Sequence, residues 1–304
     1  MRKHLAILAL VVLAASCGKQ PCAFRPVSGF SNETNAALER FLLATRDEKG
    51  RKVAVFDGDG TTIGQAPHYL ADECLYRAAL EDPGRKPDLV RRMAPLSNVS
   101  MEYVQMRVLF FEGDTVQSLR DRGEACFNRY YRDKIFAPMK GLVDLLKRNG
   151  FEVWIVSASP EAMYQQFMAK AFGIPVTNVI GVKSIVRGGR ITSEIVRPVP
   201  QDRGKKEAVE TFVQEVPLFA AGNSRGDREM IEFSRGIRMI INPDEHVERG
   251  EKESIAAYAR RNRWLIECIT DEPSPSFPAV SSKNFGIKKN KTHIKGEGTA
   301  CSGA

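Results

Sequence analysis

The feature that most constrains this chain is a series of short apolar runs, each stopping at a turn. They are Val53-Ala-Val-Phe56, Phe151-Glu-Val-Trp-Ile-Val156, Pro217-Leu-Phe-Ala-Ala221 and Ile237-Arg-Met-Ile-Ile241. Apolar, β-branched runs of this length read as strands buried on both faces of a sheet. Residues 176–180 suggest another strand, and residues 237–241 read as the last of the core. Helix-periodic segments at 141–150, 161–172, 205–213 and 227–233 alternate with them. Strand alternating with helix predicts a doubly wound, Rossmann-like α/β core around a parallel sheet. Ser31-Asn-Glu-Thr34 opens an earlier helix, with Ala37, Leu38, Phe41 and Leu42 at helical spacing and Gly50 closing it. Residues 184–192 read as a hairpin turning at Gly188-Gly189.

Between residues 63 and 138 the strand alternation stops. Residues 69–80, 88–93, 101–111 and 116–131 carry apolar positions at helical spacing instead, which predicts an all-helical insertion. The core is therefore expected at 51–62 and 139–270, preceded by an N-terminal helical segment at 17–50. From 271 to 304 the chain turns rich in Pro, Ser, Lys and Gly. Too few large apolar residues remain to pack, so a disordered basic tail is expected there.

Arg2, Lys3 and His4 precede an unbroken apolar run from Leu5 to Ala15. That run is too short to span a bilayer stably and has the form of a secretory signal over residues 1–16. Leu13-Ala14-Ala15-Ser16-Cys17 resembles a bacterial lipobox, in which Cys17 becomes the lipidated first residue; an ordinary small-residue cleavage site is the alternative. The resemblance implies a lipid anchor at Cys17, and Gly18 in place of Asp implies an outer-membrane, periplasm-facing address.

Export permits disulfides. Beyond Cys17 remain Cys22, Cys74, Cys126, Cys268 and Cys301, an odd set. Cys74 and Cys126 share the insertion and are the favoured pair, with two buried free thiols as the alternative. The net charge of +8 drops to about +6 without Arg2 and Lys3, favours anionic surfaces only weakly, and does not imply nucleic acid.

Chemistry concentrates where the first strand ends, at Asp57-Gly-Asp59-Gly-Thr61-Thr62. Carboxylates two positions apart in extended backbone point the same way, and the glycines let a ligand approach. A solvated acidic turn is one rival. A calcium loop fails on spacing, because its sixth position is Thr62 and its twelfth His68. Three further elements follow in order: Ser157 after Val153-Trp-Ile-Val156, Lys205 at a helix start, and Gly222-Asn-Ser-Arg-Gly-Asp227 after Leu218-Phe-Ala-Ala221.

This ordered set, over residues 51 to 245, resembles the haloacid dehalogenase-like hydrolases, in particular their phosphoserine phosphatase-like and phosphorylcholine phosphatase-like branch. The resemblance implies hydrolysis of a small phosphomonoester with Mg²⁺. It makes Asp57 the nucleophile and a metal ligand, and Asp59 the acid and base, its backbone carbonyl on the metal. It also implies that Ser157 holds a phosphoryl oxygen, with Ser159 a competitor, and that Lys205, in preference to Lys206, offsets the repulsion between carboxylate and phosphate.

The fourth element departs from the family pattern. Asn223, a neutral oxygen ligand, stands where the first metal-binding carboxylate is usual, while Asp227 keeps the second acidic position and serves the metal directly, through water or by orienting its neighbours. The metal is still expected, less tightly held. The insertion becomes a cap over the site, with His68, Tyr69, Asp72, Glu73 and Arg107 as candidates for substrate contact or for packing. A dehalogenase would not need Asp59 and Asp227, and a phosphomutase would have to retain its intermediate. A lipid-anchored binding protein on a decayed fold is the reading from another class, motivated by Asn223. The sequence leaves the oligomeric state open.

Overall fold

A computed structural model describes residues 24–296 and 301–303. The leader at 1–16, Cys17 and Cys22 lie outside the described residues. Among the described residues no helix is long and apolar enough to cross a membrane.

Helix α1 (Asn32–Ala44) starts at Ser31, whose hydroxyl accepts the Thr34 N–H. Strand β1 (Val53–Phe56) follows, and then the insertion: α2 (Leu70–Glu81), α3 (Pro87–Met93), α4 (Met101–Leu109) and α5 (Val116–Tyr130). The chain returns through a single tight turn at Arg132–Lys134 to α6 (Ala137–Arg148), β2 (Glu152–Pro160) and α7 (Glu161–Phe172). Next come β3 (Val179–Val182), the hairpin β4 (Ser184–Arg187) and β5 (Arg190–Ile195), α8 (Arg203–Ala208), β6 (Phe219–Gly222), α9 (Arg228–Glu232) and β7 (Ile237–Ile241). The helix begun by α8 runs on as a wider turn through Val213.

The sheet is parallel, in the order β3-β2-β1-β6-β7 and then one strand more. That strand, β8 (Leu265–Glu267), follows α10 (Ile255–Arg261) and pairs with β7. Ile237–Ile241 is therefore not the last core strand; β8 is too short to show as an apolar run. Successive residues of β1 serve opposite faces. Ala54 and Phe56 join the core beneath α1, with Phe219 stacked on Phe56, while Val53 and Val55 pack with Val156, Val209 and Ala220 on the other side. The chain builds outward from β1 to β3 and then crosses to β6, so the strand order reverses beside β1. Ligands in such sheets bind beyond the carboxyl ends of the strands at this reversal.

The insertion docks on α7. Gly123 of α5 lies so near the Met163 carbonyl that a Cβ there would sit 1.9 Å from its oxygen. The hairpin leaves the sheet to reach the insertion as well: Gly113 N–H donates to Ile191 O and Ile191 N–H to Asp114 O, each at 2.9 Å. Cys74 and Cys126 are buried free thiols rather than a disulfide.

The expected disordered tail is ordered over its described part, with α11 (Val280–Phe285) and β9 (His293–Lys295), the latter paired with β10 (Cys301–Gly303). Polar anchors achieve what composition could not promise. The Glu73 carboxylate accepts the Val280 and Ser281 N–H groups at 2.8 and 3.1 Å, and α11 lays Phe285 on Tyr76 of α2. Asp271 accepts the N–H groups of Gln65 and Ala66 at 2.7 and 3.1 Å with one oxygen and pairs with the Lys134 ammonium through the other. Asn290 bonds the carbonyls of Pro67 and Gln65. This strap holds both connections between core and insertion.

Candidate active site

β1 delivers Asp57 into the crevice, its N–H held by Ala221 O of β6 at 2.9 Å. The chain then turns back at once, with Gly60 at φ +81°, a conformation costly for a side chain. The Asp57 carboxylate accepts from the Lys205 ammonium at 2.6 Å, and the same ammonium reaches Asp227 at 2.5 Å. All three groups are buried. Burial pushes the Asp57 carboxyl up to about 7 against the pull of Lys205. Burial also opposes the Lys205 charge, but Asp227 and Asp57 outweigh it and raise its pKa. Lys206 instead pairs with Glu210 near the surface at 2.8 Å, which separates the two lysines.

The serines separate too. Ser159 Oγ donates to Asp59 at 3.0 Å, whereas Ser157 Oγ accepts the Ser159 N–H at 3.1 Å and keeps its own proton available. Ser157 lies beside the Asp57-Gly58 backbone, 3.4 Å from where a Gly58 Cβ would be. Asp59 receives a second donor, the Tyr164 hydroxyl, 2.8 Å from both carboxylate oxygens. Burial dominates these bonds and raises the Asp59 carboxyl to about 6. Its backbone carbonyl receives no hydrogen bond among the described residues.

Asp227 is committed on both sides. One oxygen faces Lys205, and the other accepts the Asn223 and Ser224 N–H groups and the Ser224 hydroxyl at 3.1, 3.0 and 2.9 Å. It therefore fixes the loop that presents Asn223. The Asn223 amide nitrogen donates to Gln65 at 3.4 Å.

Asp57, Asp59, Ser157, Lys205 and Asn223 line one cavity of about 230 Å³, which continues past Tyr69, Asn98 and Arg107 of the insertion. Arg107 Nε is tied to Asp72 at 2.7 Å, but its buried Nη2 has no partner among the described residues. Of the insertion's sequence candidates, Tyr69 and Arg107 reach the cavity, Asp72 braces Arg107, and Glu73 anchors α11. His68 is buried, with neither ring nitrogen hydrogen-bonded among the described residues. Sequence reasoning missed Tyr164, Gln65, Asn98, Gln201, Asp202 and Glu248. Asp202 alone carries a backbone mark, a φ of 51° at the head of α8, and nothing in the sequence shows it.

The family model of the haloacid dehalogenase-like hydrolases matches residues 54–232. The chain belongs to that family. Among curated proteins it resembles a hydrolase of Mycobacterium leprae, 26% identical over 162 residues, covering 52% of this chain and 50% of that one. It also resembles a phosphoserine phosphatase of Mycobacterium tuberculosis, 25% identical, covering 52% and 49%. The chain thus spans about half the length of the curated relatives it matches. Solved structures share the fold. A functionally unknown Anaerococcus prevotii protein aligns with TM-score 0.60 at 15% identity, covering 79% of this chain and 92% of that one. A Bordetella pertussis protein of unknown function gives 0.53 at 18%, covering 72% and 98%.

Proposed function

We propose that this family member is a Mg²⁺-dependent phosphomonoester hydrolase that works through a phospho-aspartate on Asp57. The observation that carries the reading is the buried Asp57–Lys205 contact at 2.6 Å, opening into a cavity where Asp59 stands beside it on the same turn. An Asp57 oxygen attacks phosphorus and the ester P–O bond breaks. Asp59 gives its proton to the departing alkoxide. Asp59 then takes a proton from water, the water oxygen bonds to phosphorus, and the Asp57–phosphorus bond breaks to release inorganic phosphate. Lys205 and Ser157 donate to the phosphoryl oxygens, supplying part of the charge stabilisation that dominates such reactions.

The Lys205 ammonium lies between the Asp57 and Asp227 carboxylates, with Asp59 lining the same cavity as Asp57, a concentration of carboxylates that favours a divalent cation. The Asp57 carboxylate, the unbonded Asp59 carbonyl and the Asn223 amide oxygen are hard oxygen donors of the kind Mg²⁺ takes. Asp227 serves that set by orienting the Asn223 loop. A bound Mg²⁺ supplies charge neutralisation between carboxylate and phosphate.

A cavity of about 230 Å³ suits a small ester, and the unpartnered Arg107 Nη2 favours a leaving group carrying an acceptor oxygen. The test is turnover of a panel of small phosphomonoesters with Mg²⁺ and with chelator. Hydrolysis that chelator abolishes is expected; no turnover of any ester, with Mg²⁺ still bound, supports the decayed binding protein instead. We also propose a periplasmic, lipid-anchored mature chain beginning at Cys17. Mass spectrometry showing an unmodified terminus elsewhere refutes it.

A further inference from the structure

Tyr164 sits in the second turn of α7, fully buried between core and insertion. Among the described residues its hydroxyl meets one partner in the core and one in the insertion. It donates to the Asp59 carboxylate at 2.8 Å and accepts the Ala71 N–H at 3.2 Å. Ala71 lies in the first turn of α2, where N–H groups have no partner within the helix. Tyr69, the residue before α2, makes no side-chain cap, so a core phenol supplies what a local Ser or Asp usually would. One oxygen atom thus joins the carboxyl assigned to proton transfer and the first helix of the insertion.

We propose that Tyr164 is a positioning residue: its hydroxyl orients the Asp59 carboxyl and ties that orientation to the docking of α2. The inference rests on the phosphatase reading above. Two donors serve Asp59, and they differ in kind. Ser159 belongs to the same strand end as Ser157 and stays with the core whatever the insertion does. Tyr164 alone spans the boundary. Its ring touches Phe167, and Phe167 stacks on Phe127 of α5 at 4.6 Å, so the phenol is gripped by the packing between α7 and the insertion. Undocking of α2 would release the Ala71 N–H and leave the hydroxyl free to turn from the carboxylate.

The test is Tyr164→Phe in the full chain, which keeps the ring and removes the oxygen. The readout is kcat/KM, which ends at release of the alcohol, for two kinds of ester. One is p-nitrophenyl phosphate, whose leaving group departs as an anion with little help from an acid. The other is whichever of phosphoserine, phosphocholine, phosphoethanolamine and glycerol 3-phosphate the wild type turns over fastest. Loss of a hydrogen bond to a charged group predicts a fall of about 10- to 100-fold for the alkyl ester. The aryl ester should fall by less than about 3-fold, because its departure does not draw on the acid. Hydrogen exchange supplies a second readout: the Ala71 amide should exchange faster in the variant while the later turns of α2 stay protected. Equal losses on both esters indicate a merely structural role and overturn the inference, as does an unchanged alkyl rate. An unchanged Ala71 amide overturns the link to α2. If the wild type hydrolyses neither ester, the phosphatase reading falls as well, which distinguishes that failure from failure of the Tyr164 assignment.

Discussion

Replacing Asp271 by Ala tests whether the strap holds the two connections of the insertion. The residue is 2% exposed. One of its oxygens accepts the Gln65 and Ala66 N–H groups and the other faces the Lys134 ammonium. The variant leaves the buried Lys134 ammonium with the Glu272 carbonyl at 2.7 Å but no carboxylate, a loss of about 3–5 kcal/mol, and strands two N–H groups at up to about 1–3 kcal/mol each unless water enters. Water can reach part of the vacated space, so the net expectation is a loss of about 4–5 kcal/mol. At roughly 2–4 °C per kcal/mol, the melting temperature should fall by about 8–20 °C. Lys134→Met should be milder, about 1–2 kcal/mol, because Asp271 keeps its two backbone donors. The double variant should lose less than the sum of the two. Urea unfolding followed by circular dichroism measures all three. If Asp271→Ala stays within about 1 kcal/mol of wild type, the strap is not docked in solution and the reasoning fails.

Asp57→Asn should abolish turnover of every ester while the urea midpoint stays at or above the wild-type value; substantial residual activity would move the nucleophile elsewhere. Asp59, raised to about 6 by burial, predicts a pH signature of stability in chelator. Above pH 6 the folded chain holds a buried charge that the unfolded chain solvates freely; as pH falls through 6 the folded carboxyl takes up a proton, and the penalty shrinks progressively until the unfolded carboxyl is protonated too, near pH 4. Asp59→Asn should therefore be about 2–3 kcal/mol more stable than wild type at pH 8. The gap should fall to about half its size by pH 5 and close near pH 4, where the unfolded carboxyl is protonated as well, and a gap independent of pH would contradict the burial argument. Gly123→Ala should cost several kcal/mol, because the new Cβ meets the Met163 carbonyl and helices α5 and α7 must move apart; a thermal melt within 2 °C of wild type refutes that close approach.

The features legible in sequence were those with a period or a punctuation mark. The β1, β2, β6 and β7 runs were visible because a strand buried on both faces must be apolar throughout, and the four helices of the insertion because each carries one apolar stripe. The acidic turn was visible because Asp57 and Asp59 end such a strand. Neither periodicity nor composition could separate Ser157 from Ser159, whose roles depend on which oxygen each hydroxyl meets. Tyr164 was invisible for the same reason: a tyrosine on a buried helix face looks like core, and its hydroxyl acquires meaning only where α7 crosses the first turn of α2. The strap was misread because the composition argument weighed apolar bulk alone. Phe277, Val280, Phe285 and Ile287 are few, but Asp271, Asn290 and Glu73 join them by satisfying backbone groups that would otherwise be stranded.

The bond between Glu73 and the start of α11 joins residues 207 positions apart. Contacts so distant along the chain form late, because a long loop must close before they can contribute. Helix α2 is among the earliest segments a ribosome would release and among the last to find its full set of neighbours. Until the strap arrives, its Glu73 carboxylate keeps Arg77 of its own helix but lacks the Val280 and Ser281 donors, so α2 stands incompletely packed for the interval between its synthesis and the arrival of the strap.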